Sequence, residues 1–271
     1  APNEEFLVGQ DRTIRVFSFG RPLSVERQQD LERFVDIATQ FMGDRVYDFI
    51  SDVVIGEFAN NTSHKDAKKD EDEFAGFAFP GNGVVLVNSS ILRDDAPVDK
   101  GAEGSLFLQT LLHEFGGHLL HGDIRNDPQA REDLEEFAAA VGWRMEEMRE
   151  NGHDWTAKGA DNKPYAPFYA TPHTIFMPAG GSPTEYGTAN PMETAGETSK
   201  HMMLGSKVMD MMTETDSAWF AYLQKRLLKP GEVMGDQPIA TPLERKPITI
   251  TRYTGTDIRY PQSEPLSIST L

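Results

Sequence analysis

The segment that most constrains the fold of this chain lies at residues 110–123 and reads TLLHEFGGHLLHGD. His113 and Glu114 stand side by side, His118 follows the glutamate by four residues, and His121 comes three residues later. The segment follows a largely apolar run at residues 106–112, which indicates a helix that continues into the histidines. We therefore expect a helix at residues 102–120, with the rest of the chain organised around it.

The spacing of the two histidines departs from the common zinc-binding helix. In that helix two histidines at i and i+4 project from one face, and the glutamate after the first can act as a general base. Here the spacing is five residues, which in an ideal α-helix leaves the second imidazole about 140° round from the first. A single π-bulge would return both rings to one face. Gly116 and Gly117 lie where the backbone would need that freedom, although each costs about 1 kcal/mol relative to alanine in a helix.

The string His-Glu-Phe-Gly-Gly-His resembles the HEXXGH zinc motif of the dipeptidyl peptidase III family. The resemblance implies that His113 and His118 bind one zinc ion and that Glu114 is the catalytic base. The motif covers only six residues of this much shorter chain. We therefore carry over the ligand chemistry and not the exopeptidase activity.

A zinc site of this kind needs a third protein ligand and keeps a fourth position for water. The segment at residues 182–204, SPTEYGTANPMETAGETSKHMML, offers the best donor. Asn190 is a candidate N-cap, and Pro191 suits the first turn of a helix. Glu193 and Glu197 then fall at i and i+4, on one face of that helix.

This segment resembles the glutamate helix of gluzincin metallopeptidases, in which an ExxxE pair supplies one carboxylate to zinc and a second to a zinc-bound histidine. It resembles in particular the catalytic domain of anthrax lethal factor, where a Tyr-Gly precedes the helix by a similar distance. By position, the resemblance makes Glu193 the third ligand, Glu197 the partner of a ligating histidine, and Tyr186 the phenol that stabilises the oxyanion. A ligating imidazole needs its other N–H fixed, which gives the role of Glu197 a physical basis.

Other residues compete for the third ligand position. Glu135 and Glu136 lie 17 and 18 residues past His118, close to the distance used by thermolysin-like enzymes, on an acidic helix expected at residues 128–149. His121 and Asp123 are further candidates, and we interpret His121 as a satisfied histidine or one that supports a ligand.

Composition limits the classes of partner and compartment. The 271 residues carry a net charge of −17, which argues against nucleic acid as a partner because phosphate binding needs a basic face. No run of 18 apolar residues occurs, so no membrane span is expected. The chain has no cysteine and begins at Ala1. We therefore expect a secreted or extracellular protein, of the kind that bacteria export.

The residues before the motif predict a small β-sheet together with two helices. Residues 1–12 are interpreted as an arm, residues 13–19 as a strand, and residues 24–43 as a helix that starts at Ser24 and stops at Gly43. A second helix is expected from Val46 through Val54, followed by a polar loop at residues 60–73. Residues 74–79 and 83–88 predict a β-hairpin, one strand of which would bind an extended substrate along its edge.

The second half predicts a long loop and two more helices. The proline-containing segment at residues 152–187 would wall the cleft, and residues 191–205 would form the glutamate helix. A last helix is expected from Asp216. We divide the chain into a domain at residues 1–230 and a tail at residues 231–271, packed on that domain and carrying one strand at residues 248–253.

Taken together, the sequence predicts an α+β fold: a mainly helical zincin-like metallopeptidase domain with a small β-sheet beside the active-site helix. The expected reaction is zinc-dependent hydrolysis of a protein or peptide substrate. Glu114 would take a proton from water and deliver it to the leaving amine, while Tyr186 stabilises the oxyanion. Two alternatives are a catalytically silent zincin-fold binding module and a zinc hydrolase of a non-peptide amide.

Overall fold

A mixed β-sheet forms the base on which the helices pack. The computed structural model describes residues 2–9, 12–58, 75–93, 102–122, 127–141, 182–184, 186–188, 191–206, 209, 212–227 and 249–252. The strands are β1 (Glu4–Gly9), β2 (Thr13–Ser18), β3 (Asp52–Gly56), β4 (Gly76–Phe79), β5 (Val84–Asn88) and β6 (Thr249–Arg252). The helices are α1 (Val25–Met42), α2 (Val46–Phe49), α3 (Leu106–Glu114), α4 (Pro128–Ala140), α5 (Pro191–Met203) and α6 (Thr213–Leu227).

The strand order of the sheet is β4-β5-β3-β2-β1-β6. Strands β2, β3 and β5 run parallel at its centre, while β4 pairs antiparallel with β5 at one edge and β1 pairs antiparallel with β2 and with β6. The described chain is thus a mixed α/β structure with more helix than strand, which is compatible with the predicted α+β class.

The prediction of an N-terminal arm at residues 1–12 is wrong. These residues supply β1, which pairs with β2 from Glu4↔Ser18 to Gly9↔Thr13. Phe6 and Val8 alternate with more accessible residues and are fully buried on the core side of the sheet. That alternation of apolar positions is the signal of a half-buried strand.

The second predicted helix is too long. Its first turn is present as α2, but Asp52–Gly56 is strand β3, parallel to β2 on one side and β5 on the other. Val53 and Ile55 are buried in the centre of the sheet. A run of β-branched residues favours a central strand, because such side chains pack well on both faces of a pleated surface.

The predicted hairpin is confirmed. Gly76–Phe79 and Val84–Asn88 pair antiparallel from Gly76↔Val87 to Phe79↔Val84, and Pro80–Asn82 connects them. Gly83, which follows the connection, has φ of 65°, a left-handed value that glycine adopts without strain. The hairpin makes β4 the edge strand beside helix α3.

Helix α1 is bounded as predicted and packs on the sheet beside α3. The Ser24 hydroxyl accepts a hydrogen bond from the backbone N–H of Arg27 at its start, and Gly43 follows its last residue. The Phe34 ring meets the Phe115 ring edge-on with centroids 5.6 Å apart, so α1 contacts the chain directly after α3. Aromatic pairs in this geometry add to the stability gained from burial alone.

The C-terminal helices pack around the histidine motif. Helix α5 packs against α3 and the residues that follow it, and α6 packs against α4 and α5. The strand predicted at residues 248–253 is present as β6, which pairs with β1. The rest of the predicted tail lies outside the described residues, as do Asn190, the loop at 60–73 and most of the segment at 152–187. None of the described helices has the length and apolarity needed to cross a membrane.

Candidate metal centre

Helix α3 begins at a capped terminus and ends in the histidine motif. The Ser105 hydroxyl accepts a hydrogen bond from the Leu108 backbone N–H, and Leu108, Leu111 and Leu112 are fully buried. The capping hydroxyl satisfies one backbone donor that the first turn leaves without a partner. The apolar run thus fixes α3 in the core and carries His113 and Glu114 to its last turn.

The predicted π-bulge is confirmed directly after α3. Residues Phe115–Leu119 form a π-helical turn, and the Leu120 N–H donates to the Phe115 carbonyl at 3.1 Å. This i→i+5 bond absorbs the extra residue between the two histidines. Their ring centroids consequently lie 5.3 Å apart, on the same side of the chain.

The two glycines of the π-turn allow close contact with α5 rather than an unusual backbone angle. Neither has a positive φ. A Cβ at Gly116 would lie 2.3 Å from Ser199 Cβ, and a Cβ at Gly117 would lie 2.2 Å from Gly196 Cα. On the other helix, a Cβ at Gly196 would lie 2.6 Å from Cε1 of His113. Glycine is therefore required at three points where the two segments cross.

This crossing brings two carboxylates of α5 to the histidines. The Nδ1 of His113 lies 2.7 Å from Glu197 Oε1, and its Nε2 lies 2.9 Å from Glu193 Oε2. The same Oε2 of Glu193 lies 3.7 Å from Nε2 of His118. All four side chains are buried or nearly so. The two helices thus converge on one small polar centre inside an otherwise apolar core.

Glu114 lies at the edge of this centre, beside strand β4. Its Oε2 is 4.0 Å from His118 Nε2, and a Cβ at Gly76 would lie 2.9 Å from its Cγ. His113, Glu114 and His118 offer ligand atoms within 4.8 Å of one another, so these three residues could hold a metal ion. Glu193 approaches His118 more closely than Glu114 does, and it contacts both imidazoles.

The charges at the centre are strongly coupled. Burial by itself lowers the pKa of His113, but hydrogen bonds to Glu193 and Glu197 outweigh it and raise that pKa to about 10. Burial raises the pKa of Glu197, but the bond to His113 and the charge of Lys200 bring it down to about 2. Burial raises the pKa of Glu114, with the two histidines opposing the shift. The centre therefore holds one carboxyl with a raised pKa beside others that stay ionised.

Tyr186 lies at the mouth of the centre. The residue is 61% exposed, and its ring centroid is 5.8 Å from that of His113. Two threonine hydroxyls hold the short turn Tyr186–Thr188: Thr184 accepts from the Gly187 N–H at 3.1 Å, and Thr194 donates to the Gly187 carbonyl at 2.6 Å. The structure thus places Tyr186 with the residues predicted from the motif.

The competing third ligands lie elsewhere or outside the described residues. Glu136 is on the exposed side of α4, where it pairs with Lys225 of α6. His121 is buried and contacts the hydroxyl of Tyr222 through its Nδ1. The described group of possible metal ligands consists of His113, Glu114 and His118 and includes none of Glu135, Glu136, His121 and Glu193. Glu193 differs from the other three because its Oε2 lies close to a nitrogen of both histidines, 2.9 Å from His113 and 3.7 Å from His118. Asp123 lies outside the described residues.

Several residues around the centre were not predicted from the sequence. Thr184 and Lys200 both bond to Glu197, and Arg226 bonds to the carbonyls of Leu120 and His121 that follow the π-turn. Lys200 stands three residues after Glu197, a spacing that is itself a signal for a helical ion pair. The contacts of Thr184 and Arg226 depend on the tertiary fold and leave no local pattern.

The comparisons with known proteins identify no relative of this chain. No family model matches the chain, and neither a curated protein nor a solved structure matches it.

Proposed function

We propose that this chain is a zinc-dependent peptide hydrolase with a zincin-like fold. His113, His118 and Glu193 would hold one zinc ion, and Glu197 would fix the orientation of His113. The observation that carries the proposal is the position of Glu193 Oε2, 2.9 Å from one imidazole nitrogen and 3.7 Å from the other. One carboxylate oxygen close to two imidazole nitrogens is the arrangement that a shared metal ion requires.

The donor set fits zinc. Two imidazoles and one carboxylate form the catalytic type of site, in which a fourth position stays open. Ligand atoms about 2.0–2.1 Å from a tetrahedral ion lie about 3.3 Å from each other. The two distances from Glu193 Oε2 bracket that value, at 2.9 and 3.7 Å. Because His113 donates its Nδ1–H to Glu197, its Nε2 is the nitrogen that faces the ion.

The remaining side chains fit the chemistry of amide hydrolysis. Zinc, when bound, polarises a substrate carbonyl and lowers the pKa of a water molecule to about 7. Glu114 would take a proton from a water molecule and return it to the leaving amine, a role that suits a buried carboxyl whose pKa is raised. Tyr186, at the mouth of the site, donates a hydrogen bond to the oxyanion.

Strand β4 offers a surface for an extended substrate. The Asn88 N–H donates to the Ala75 carbonyl at 2.9 Å, so Ala75 faces β5. Main-chain groups alternate along an antiparallel strand, which directs those of Gly76 and Ala78 to the outer edge. Gly76 also borders Glu114. A peptide that pairs with this edge would therefore lie beside the proposed base.

The arrangement also supports the resemblance to gluzincins. The order of parts along the chain is the edge strand, the histidine helix, the Tyr-Gly turn and then the glutamate helix. The three proposed ligands and the base come from helix α3 with the π-turn that follows it, which pack beside the edge strand, and from helix α5, which crosses them. We carry over the zincin-like architecture and the hydrolase class, and no particular cleavage specificity.

The test is the metal content of the purified protein, measured by mass spectrometry in the wild type and in Glu193→Ala. Glu136→Ala is the matched control, because Glu136 is an exposed glutamate on the acidic helix. We expect one zinc ion per chain in the wild type and the control, and little in Glu193→Ala. Equal zinc in all three proteins would refute the assignment of Glu193 as the third ligand. No zinc in the wild type would favour a catalytically silent binding module.

A further inference from the structure

The hydroxyl of Thr184 joins two parts of the centre that belong to different segments. It donates to Glu197 Oε2 at 2.6 Å and accepts from the Gly187 N–H at 3.1 Å. Glu197 in turn accepts the Nδ1–H of His113 through its other oxygen, at 2.7 Å. One hydroxyl group thus links the carboxylate behind His113 to the turn that carries Tyr186.

The Glu197 carboxylate is fixed from several sides. Its Oε2 accepts from Thr184 and also from the Lys200 ammonium group at 2.7 Å, which leaves Oε1 for His113. Lys200 is only 7% exposed, so its charge compensates the buried carboxylate. Thr184 is the one of these two partners that also contacts the turn at Gly187.

We propose that Thr184 is a positioning residue that sets both the orientation of His113, through Glu197, and the place of Tyr186, through Gly187. The inference rests on the proposed function, in which His113 is a zinc ligand and Tyr186 an oxyanion donor. Its consequence is that loss of one hydroxyl lowers zinc affinity and transition-state stabilisation together. Partners that orient a ligating histidine typically change metal affinity by about 10- to 100-fold.

Two threonines of helix α5 provide matched controls for Thr184. The Thr194 hydroxyl donates to the Gly187 carbonyl at 2.6 Å, so it holds the same turn from helix α5. The Thr198 hydroxyl is buried and has no hydrogen-bond partner in the described part of the chain. Thr194→Val therefore tests the turn, and Thr198→Val tests the removal of a buried hydroxyl as such.

The experiment compares the wild type, Thr184→Val, Thr184→Ser, Thr194→Val and Thr198→Val. Zinc affinity is measured by competition with a chelator, and kcat and KM are measured at saturating zinc on a peptide that the wild type cleaves. For Thr184→Val we expect zinc affinity to fall by about 10- to 100-fold and kcat to fall with it. Thr184→Ser should restore both values. Thr194→Val should lower kcat alone, and Thr198→Val should change neither.

A second background separates positioning from a general loss of structure. In Tyr186→Phe the phenol is absent, so Thr184→Val should lower kcat much less there than in the wild type, while its effect on zinc affinity should persist. Such non-additivity is expected of residues that act through one another. If Thr184→Val does not fold, zinc affinity and kcat are compared between Thr184→Ala and Thr184→Ser instead. Of these two variants only Thr184→Ser keeps the hydroxyl.

The outcomes distinguish this inference from the function on which it rests. A wild type that neither binds zinc nor cleaves any peptide would overturn both. An active, zinc-loaded wild type whose Thr184→Val variant matches Thr198→Val in affinity and kcat would overturn the inference alone. A fall in zinc affinity with unchanged kcat would also overturn it, because the link from Thr184 to Tyr186 would then be absent.

Discussion

Gly117 of the π-turn and Gly196 of helix α5 meet backbone to backbone, since a Cβ at Gly117 would lie 2.2 Å from Gly196 Cα and 2.7 Å from its nitrogen. The contact occurs between Glu193 and Glu197 along the helix, where both carboxylates reach His113. Close approach of the two segments therefore determines whether the carboxylates reach the imidazoles at all. A single methyl group at the crossing would separate the parts of the centre.

The first prediction is that alanine at either glycine disrupts the centre. We expect Gly117→Ala and Gly196→Ala to lower the free energy of unfolding by about 1–3 kcal/mol, because overpacking forces the segments apart. Zinc affinity should fall as well, since the displacement lies between the proposed ligands. Chemical denaturation and chelator competition measure the two effects. Gly81→Ala is the control, because a Cβ there would meet no atom within 4 Å. Normal zinc affinity in Gly196→Ala would contradict this account.

The same glycines illustrate how far sequence could predict this centre. The five-residue spacing between His113 and His118 predicted the π-turn, because helix geometry leaves few other ways to bring two rings to one face. From the sequence, the expected role of the glycines is backbone freedom, whereas the structure uses them for close contact with α5. That role depends on which helix crosses the turn, and a local pattern does not contain this information.

The errors in the fold have a similar origin. Val53 belongs to a run that fits either a helix or a strand by hydrophobicity, and its place in the sheet comes from pairing with β2 and β5. Phe6 lies in the segment at residues 1–12 that is predicted as an arm, yet pairing with β2 makes that segment a strand. Short apolar runs stay ambiguous until long-range pairing selects one state.

The second prediction concerns Glu114 and separates binding from catalysis. Glu114→Gln should keep its zinc, because His113, His118 and Glu193 would provide the ligands. It should lose activity by about 10²- to 10⁴-fold, the usual contribution of a general acid–base residue. Metal content and kcat on one peptide substrate test both parts. Glu136→Gln, on the exposed side of α4, should leave both values unchanged. Loss of zinc from Glu114→Gln would instead make Glu114 a ligand.

The third prediction is that zinc binding releases protons. The pKa of His113 in the metal-free protein is raised to about 10, so the imidazole is protonated at neutral pH. A metal ligand must be neutral, and zinc must therefore displace that proton. Zinc affinity should rise with pH by about tenfold per unit for each proton displaced. In the metal-free protein the stability from this protonated histidine is complete below pH 6.5 and is lost as pH rises through about 10.

Calorimetry at pH 7 in two buffers with different ionisation enthalpies counts the protons released. We expect at least one per zinc ion in the wild type. Glu197→Gln should release fewer, because it removes a carboxylate that helps to keep His113 protonated. Zinc binding without proton release in the wild type would show that His113 is already neutral, or is not a ligand.

The fourth prediction concerns Arg226, which joins α6 to the end of the π-turn. Its guanidinium donates to the Leu120 carbonyl at 2.7 Å and the His121 carbonyl at 3.1 Å, and it lies 3.2 Å from Asp133 Oδ2. Asp133 is only 3% exposed. Arg226→Met would leave that buried carboxylate without its cation and the two carbonyls without their donor. Breaking a buried pair in this way costs about 3–5 kcal/mol.

Denaturant unfolding of Arg226→Met, Lys225→Met and the double variant Arg226→Met with Asp133→Leu tests this account. Lys225 is the neighbouring cation, but its pair with Glu136 is exposed, so its loss should cost less than about 1 kcal/mol. The double variant should recover much of the stability, because it removes the buried charge along with its partner. Because Arg226 also fixes the carbonyls that follow the π-turn, Arg226→Met should weaken zinc binding while Lys225→Met does not. Equal costs for the two single variants would mean that the Arg226 network contributes no more than an exposed ion pair.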